Sequence, residues 1–268
     1  MKEIIVGAAS DTGKVRSSNQ DHYLVQRSVG NRSSLLLRMD ATAAGAGSCG
    51  ILCAVADGMG GHQGGEQASR LALEVLAQQY FAADRGAGAL ATPESRLRNA
   101  VEAADRAVRD EGSRQRHLFG MGTTVVGLLL YEDGACAFNA GDSRLYRLRR
   151  EGLEQLSSDH SLVAELQRSG QLTPEQAETF DRKQVLTNCV GGYPEMDFYL
   201  ETYPGIGVSE GDRFLLCSDG VSNAIPREEL EYLCRNASDP EAVASDLVRE
   251  SDERGGLDNA TAVVIDVR

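Results

Sequence analysis

The stretch CAVADGMGGH, residues 53–62, decides the fold, because an apolar run stops in it at a single carboxylate, Asp57. The run ILCAVA, residues 51–56, is apolar on both faces, which predicts a strand buried on both sides. Glycines crowd the residues after Asp57, and glycine allows a backbone to approach its neighbours closely. We therefore expect Asp57 to end a buried strand beside a loop built for close approach.

Outward from this strand, helical spacing of apolar residues predicts two amphipathic helices, at 64–82 and 93–111. Thr92 and Pro93 supply an N-cap and a proline at the first helical position of the second helix. Two more helices are predicted at 226–236 and 239–254. The predicted strands cover residues 2–13, 21–27, 49–56, 123–131, 135–140, 143–149, 212–220 and 259–267.

The order of these elements predicts an α+β fold. Short turns at residues 132–134 and at Gly141-Asp142 predict hairpins, and hairpins join antiparallel strands. Runs of strands that alternate with helix pairs favour sheets between helix layers over a parallel βαβ fold. Residues 159–205 combine short helical pieces with paired glycines, which predicts a flap. The Gly- and Ala-rich residues 41–50 predict a surface loop.

Composition limits the partners of this 268-residue chain, which we expect to form one domain. Its net charge of −13 repels nucleic acid and anionic lipid, so neither is an expected partner. No apolar run is long enough to span a membrane, and the first residues lack the pattern of a signal peptide. The six cysteines contain no CxxC pair, which predicts reduced thiols in a cytoplasmic protein. We expect a monomer.

Five aspartates lie at the ends of predicted strands: Asp21, Asp57, Asp142, Asp219 and Asp258. If these ends converge on one edge of a sandwich, the like charges disfavour one another unless cations compensate them. Ligation by oxygen atoms alone suits Mg²⁺ or Mn²⁺ and not zinc. Spacing alone leaves a second interpretation open, because Asp-Gly at a strand end also forms ordinary turns. The glycine-rich stretch lacks the Lys-Ser/Thr of a P-loop.

Seven blocks, in this order, resemble the motifs of the metal-dependent protein serine/threonine phosphatases of type 2C. The blocks are RSSNQD (16–21), VADGMGGHQGGEQAS (55–69), GMGTTVVGLL (120–129), NAGDSRLYRLR (139–149), SSDHSLV (157–163), LLCSDGVSNAI (215–225) and DNATAVVI (258–265). They span nearly the whole chain, and the forms DGMGGH and GMGTT are similar to those of the bacterial branch.

The resemblance implies a four-layer α-β-β-α sandwich of two antiparallel sheets flanked by helix pairs. It also implies two tightly bound Mn²⁺ or Mg²⁺ ions and hydrolysis of phosphoserine and phosphothreonine in proteins by a metal-activated water. The protein substrates would be products of a bacterial Ser/Thr kinase, which makes such a kinase an expected partner.

The same resemblance implies roles for seven residues. Asp57 is expected to bridge both metals, beside a carbonyl ligand from Gly58. Asp219 and Asp258 are expected to hold the first metal, and Asp21 to act at the second, directly or through water. Arg16 is expected to bind the substrate phosphate, and Asp142 is expected to hold a third, weaker metal together with Asp219.

Three residues depart from the family pattern. Gln20 replaces a glutamate of many eukaryotic members, Met59 replaces a histidine proposed there as general acid, and Asn223 replaces a carboxylate near the third metal. A catalytically weak pseudophosphatase or phosphopeptide-binding module on the same fold therefore stays open as an alternative, as does a phosphatase of small molecules.

Overall fold

The computed structural model describes residues 3–40, 49–82, 92–132, 134–182, 184–237 and 239–268. The strands are β1 (Glu3–Asp11), β2 (Asp21–Val25), β3 (Ser28–Gly30), β4 (Ser33–Asp40), β5 (Ile51–Met59), β6 (Gly122–Thr123), β7 (Val125–Tyr131), β8 (Gly134–Ala140), β9 (Arg144–Arg149), β10 (Gly152–Gln155), β11 (Val190–Gly191), β12 (Glu201–Ile206), β13 (Arg213–Cys217) and β14 (Ala260–Val267). The α-helices are α1 (Gly61–Ala82), α2 (Pro93–Arg114), α3 (Leu162–Arg168), α4 (Pro174–Glu178), α5 (Asp219–Ser222), α6 (Arg227–Asn236) and α7 (Pro240–Glu253).

The strands form two antiparallel sheets. The first sheet has the order β10-β9-β13-β14-β1-β4. The second has the order β11-β6-β5-β7-β8-β12, with β2 added on β5 and β3 added on β2. Helices cover the outer face of each sheet, so the predicted α-β-β-α sandwich is confirmed.

Three apolar layers hold this sandwich together. Val55 and Phe214 belong to the layer between the two sheets. Leu76 of α1 and Leu97 of α2 pack on the outer face of the second sheet. Leu247 of α7 packs on the outer face of the first sheet. Each sheet is therefore buried on both faces, which explains why ILCAVA has no polar alternation.

The predicted helices are confirmed with small changes at their ends. α1 begins at Gly61 and not at residue 64, and α2 continues to Arg114. Thr92 caps α2 as predicted, because its side chain accepts the amide hydrogen of Ser95 at 3.2 Å. Most of the surface loop predicted at 41–50 lies outside the described residues. Within those residues, no helix combines the length with the apolar composition of a membrane span.

The prediction of a hairpin at Gly141-Asp142 is wrong. β8 pairs with β7 and β12 in the second sheet, whereas β9 pairs with β13 and β10 in the first. The short connection between them therefore crosses from one sheet to the other. The local sequence does not distinguish the two cases, because a tight glycine turn can join two strands of one hairpin or two strands of different sheets.

The C-terminal limit of the predicted flap is also wrong, because Glu201–Ile206 forms the edge strand β12 of the second sheet. Pro204 and a register shift between Tyr203 and Ile206 remove the alternation that would have identified a strand. β10 was not predicted because it is too short to show an apolar alternation. Of its four residues, Leu153 is the one that is buried.

Candidate metal centre and active site

Asp57 lies near the end of β5, directly opposite Asp21 on β2. Two threonines fix its backbone. The Thr124 amide donates to the Asp57 carbonyl oxygen at 2.8 Å, and the Asp57 amide donates to Thr124 Oγ1 at 3.0 Å. Thr123 Oγ1 donates to the same carbonyl oxygen at 2.8 Å. The Asp57 side chain therefore projects from a strand end that is held on both sides.

Gly58 packs against Gly65 in the first turns of α1. A β-carbon on Gly58 would collide with the Gly65 carbonyl oxygen. A β-carbon on Gly65 would lie 2.6 Å from the Gly58 oxygen and 2.9 Å from Cδ of Gln20. Glycine at residue 65 therefore lets α1 pack closely against Gly58 and Gln20, both of which line the cavity described below. Backbone carbonyl and side-chain amide oxygens are ligands that a hard cation accepts.

Asp219 and Asp258 come from neighbouring strands of the first sheet. Asp219 directly follows Ser218 at the end of β13, and Asp258 precedes β14, which runs antiparallel to β13. The end of one strand and the beginning of the other meet at the same edge of the sheet. The chain direction alone thus brings these two carboxylates together.

A hydrogen bond joins the two sheets at this edge. Ser218 Oγ donates to Oδ2 of Asp21 at 2.6 Å and accepts the Thr261 amide hydrogen at 3.0 Å. Asp21 belongs to the second sheet and Ser218 follows a strand of the first. The relative position of the two groups of aspartates is therefore fixed by this contact.

A single cavity of about 720 Å³ collects most of the predicted site residues. Its lining includes Arg16, Asp57, Gly58, Asp142, Asp219 and Asp258. Asp142 reaches it from the crossing between β8 and β9. Asp21 is fully buried and does not line the cavity. Its carboxylate therefore acts on this site from behind the cavity wall.

The aspartates disfavour one another's ionised forms. Burial, and then the charges of Asp219 and Asp258, raise the pKa of Asp21 to about 7, against the lowering effect of its hydroxyl partners. Burial and the charge of Asp219 raise the pKa of Asp142 to about 7. Burial and the charge of Asp21 raise the pKa of Asp57 well above its ordinary value. The pKa of Asp219 is also raised, first by burial and then by the charge of Asp258.

Within the described part of the chain, two buried carboxylate oxygens at this site have no hydrogen-bond partner: Oδ1 of Asp21 and Oδ1 of Asp219. Buried polar atoms normally find a partner, so each orphan oxygen indicates a missing ligand. Among the described residues, no group of three or more His, Cys, Asp or Glu side chains could hold a metal ion. Mg²⁺-like ions need no such group, because they bind through one or two carboxylates and keep several waters. The residues present therefore fit divalent cations.

Arg16 stands at the cavity with its side chain about half exposed. Its Nη2 donates to Oδ2 of Asp258 at 2.7 Å. This hydrogen bond raises the pKa of Arg16, with smaller contributions from the charges of Asp57 and Asp219. A permanent cation with several exposed donors thus faces the carboxylates.

All three residues that depart from the family pattern lie at the site, and Gln20 lines the cavity. Met59 lines the cavity and offers no proton for transfer. Asn223 Nδ2 donates to Oδ2 of Asp219 at 3.2 Å. The Asn223 amide therefore orients the Asp219 carboxylate, whereas an acidic side chain at residue 223 would add negative charge.

Asn259 directly follows Asp258 in the sequence, and the structure shows what its side chain contacts. Its Nδ2 donates to the carbonyl oxygens of Thr12 and Ser18 at 2.8 and 3.0 Å, and its Oδ1 accepts the Gln20 amide hydrogen at 2.8 Å. Asn259 thus holds the loop that carries Arg16. Sequence reasoning missed Ser218 and Thr124 entirely, because a single hydroxyl gives no periodic signal.

A family model described as Protein phosphatase 2C matches residues 29–250. The serine/threonine phosphatase stp of Listeria monocytogenes is 30% identical over 262 residues, which are 96% of this chain and 93% of that protein. A solved structure of PppA, described as a key regulatory component of T6SS in Pseudomonas aeruginosa, is 34% identical, with a TM-score of 0.74 and coverage of 99% and 98%. The catalytic domain of the phosphatase PstP, solved with two manganese ions, is 30% identical, with a TM-score of 0.76 and coverage of 99% and 100%.

Proposed function

Because this chain belongs to the protein phosphatase 2C family and is a serine/threonine phosphatase of its bacterial branch, we propose that it hydrolyses phosphoserine and phosphothreonine in proteins with Mn²⁺ or Mg²⁺ bound at the aspartate cluster. The observation that carries the proposal is the pair of orphan oxygens on Asp21 and Asp219. A buried carboxylate without a partner is costly, and a cation removes that cost.

Two bound cations supply a water of lowered pKa and positive charge for the phosphate oxygens. Asp57 would contact both ions, with the Gly58 carbonyl as a further ligand. Asp219 and Asp258 would hold the first ion, and the buried Asp21 would orient a ligand of the second. Asp142 and Asp219 would hold a third, weaker ion, because Asn223 adds no negative charge there.

Arg16 would bind the phosphate itself. Its planar guanidinium can donate two parallel hydrogen bonds to phosphate oxygens, which fixes the phosphorus for attack. Asp258 keeps the guanidinium at the cavity by the 2.7 Å contact. With cations bound at the neighbouring cluster, Arg16 and those cations would together form one continuous site for the phosphate anion.

The cysteines do not support the alternative of a cysteine nucleophile. None of the six, each within the described residues, forms a disulfide, and five are buried. Burial raises the pKa of Cys53 and of Cys217 to about 12. Since only the thiolate attacks phosphorus, these protonated thiols are poor nucleophiles, which supports the proposal of a metal-activated water.

We further propose that the chain is one catalytic domain with a flap at residues 159–200. Gln184 and Leu186 of this segment line the cavity, which supports a contribution to substrate binding. We also propose that the protein is a cytoplasmic monomer and opposes a bacterial Ser/Thr kinase.

The test compares three substrates: p-nitrophenyl phosphate, a phosphothreonine peptide and a sugar phosphate. We expect Mn²⁺-dependent hydrolysis of the first two, loss of activity in EDTA, and recovery when Mn²⁺ is restored. Tight binding of the peptide without turnover would identify a phosphopeptide-binding module instead. Faster hydrolysis of the sugar phosphate than of the peptide would identify a small-molecule phosphatase.

A further inference from the structure

Two aliphatic side chains at the cavity rim remain in solvent. Leu257 is 73% exposed and Val15 is 64% exposed, and both line the cavity. They are the most exposed aliphatic residues among the large exposed apolar side chains of the described chain. Val15 directly precedes Arg16 and Leu257 directly precedes Asp258, so each adjoins one partner of the same ion pair.

The two residues are held side by side by their backbones. The amides of Lys14 and Val15 both donate to the Gly256 carbonyl oxygen, at 2.8 and 3.1 Å. Gly13 and Gly256 have φ values of 76° and 54°, which favour glycine. A β-carbon on Gly13 would collide with the Asp258 carbonyl oxygen. The two loops therefore touch in a way that a side chain would prevent.

Further contacts stiffen the same loops. Asn259 bonds to the carbonyl oxygens of Thr12 and Ser18, on both sides of Val15. Hydrogen bonds therefore hold the backbones of Val15 and Leu257 in place before a ligand binds. Little conformational entropy of these loops is lost on binding. Exposed apolar side chains that adjoin a binding cavity are typical of recognition surfaces.

We propose that Val15 and Leu257 form a specificity site that receives an apolar side chain next to the phosphorylated serine or threonine of the substrate. The inference rests on the proposed phosphatase function and names a substrate class for it. The occupant is a segment of the substrate itself, because the rim is continuous with the cavity that would bind its phosphate. An apolar neighbour is favoured because neither side chain offers a hydrogen bond to a polar one.

The experiment uses phosphothreonine peptides that are identical except for one flanking residue. Leucine or serine is placed in turn at each of the two positions before and after the phosphothreonine. For the wild-type enzyme with Mn²⁺, we expect leucine at one of these positions to raise kcat/KM about tenfold over serine. Leu257→Ser and Val15→Ser should each reduce that ratio to about two, while Leu257→Met should preserve it.

Tyr232→Ser is the matched control. Tyr232 is 64% exposed but lies on α6, whose last turn packs near Arg213 at the beginning of β13, whereas the site lies beyond the end of β13. The control should keep the tenfold preference. Thermal unfolding of every variant checks that the fold is intact, and Leu257→Met retains a readout if a serine variant fails to fold.

The outcomes separate the two proposals. Equal hydrolysis of all peptides by the wild-type enzyme overturns the specificity site and leaves the phosphatase function standing. A preference that survives in both serine variants also overturns it, because the preference then arises elsewhere. Absence of peptide hydrolysis alongside hydrolysis of the sugar phosphate overturns the proposed protein phosphatase function.

Discussion

Carboxylates at the two ends of the strand pair β13–β14 have opposite environments. At one end, Arg213 and Asp266 face each other across the pair and share hydrogen bonds of 2.6 and 2.8 Å. At the other end, Asp219 and Asp258 line one cavity with Asp57, and the buried Oδ1 of Asp219 has no hydrogen-bond partner among the described residues. The first end uses side-chain cations to neutralise its charge, whereas the second keeps carboxylate charge available for other cations.

The difference shows how stability and function can be separated along the same strands. A carboxylate with a fixed arginine partner contributes to the fold and has no capacity left for a metal. A carboxylate that is buried among like charges costs stability until a cation binds, and clusters of perturbed pKa values are typical of functional sites. Substitutions at the two ends should therefore have different consequences.

The largest expected effect is on catalysis, from Asp57→Asn. The change removes a charge that both proposed ions share, so kcat should fall by more than the roughly 10–100-fold that loss of an outer-shell partner costs. The fold should survive, because the backbone contacts of Asp57 with Thr123 and Thr124 remain. Steady-state kinetics with Mn²⁺ and thermal unfolding test this, with Asp110→Asn on the exposed face of α2 as the control. Wild-type activity would exclude the binuclear assignment.

The opposite end should respond through stability. Asp266→Asn leaves the largely buried Arg213 without its carboxylate partner, so the free energy of unfolding should fall by about 3 kcal/mol. Activity per folded molecule should be unchanged. Urea unfolding measures the effect, and Glu253→Gln at an exposed ion pair is the control, with an expected loss below about 0.5 kcal/mol. Lost activity in a stable Asp266→Asn protein would contradict the separation of the two ends.

A smaller effect on catalysis is expected at Arg16. This residue combines features of both ends, because it pairs with a carboxylate as Arg213 does but lines the proposed active site. Arg16→Ala should raise KM about tenfold and lower kcat less, since the phosphate is bound in both the ground state and the transition state. Arg16→Lys keeps the charge but loses the bidentate geometry, so its KM should lie between the two. Unchanged kcat/KM in Arg16→Ala would assign this side chain to the surface alone.

The smallest effect concerns the pH dependence of stability. In the folded state the pKa of Asp142 is about 7, so between pH 4 and 7 the folded state holds a proton that the unfolded state has released. Stability from this group therefore falls as pH rises through that window. In EDTA, Asp142→Asn should become more stable relative to the wild type between pH 4 and 7. Mn²⁺ should shrink this advantage, and a pH-independent difference between the two proteins would show that Asp142 is not buried among like charges.

The sequence predicted the helices and the central strand because their signals are local. The apolar spacing of α1 and α2 and the apolar run of β5 reflect burial against neighbouring elements. Burial of this kind occurs in any stable packing of these elements, so it can be predicted without knowing the topology. The choice of sheet for β9 could not be derived, since Gly141-Asp142 fits a hairpin and a crossing equally well. That choice is what brings Asp142 to the cavity.

The same limit applies to the site. The five aspartates could be identified at strand ends, but their convergence depends on which strands pair. The register that places Asp21 opposite Asp57 has no trace in spacing. The supporting contacts of Ser218 and Asn259 connect residues about 200 or more positions apart, so they become visible only with the fold.

The bond between Ser218 and Asp21 has a consequence for protein synthesis. The site draws on residues from 16 to 258, and its two halves come from different sheets that the bond between Ser218 and Asp21 joins at this edge. A ribosome-bound chain that has exposed α1 and α2 still lacks β13 and β14, and with them Asp219 and Asp258. If Asp219 and Asp258 hold the proposed cations, dephosphorylation would begin only after both residues have left the exit tunnel, and a translation product that stalls before β13 would lack phosphatase activity.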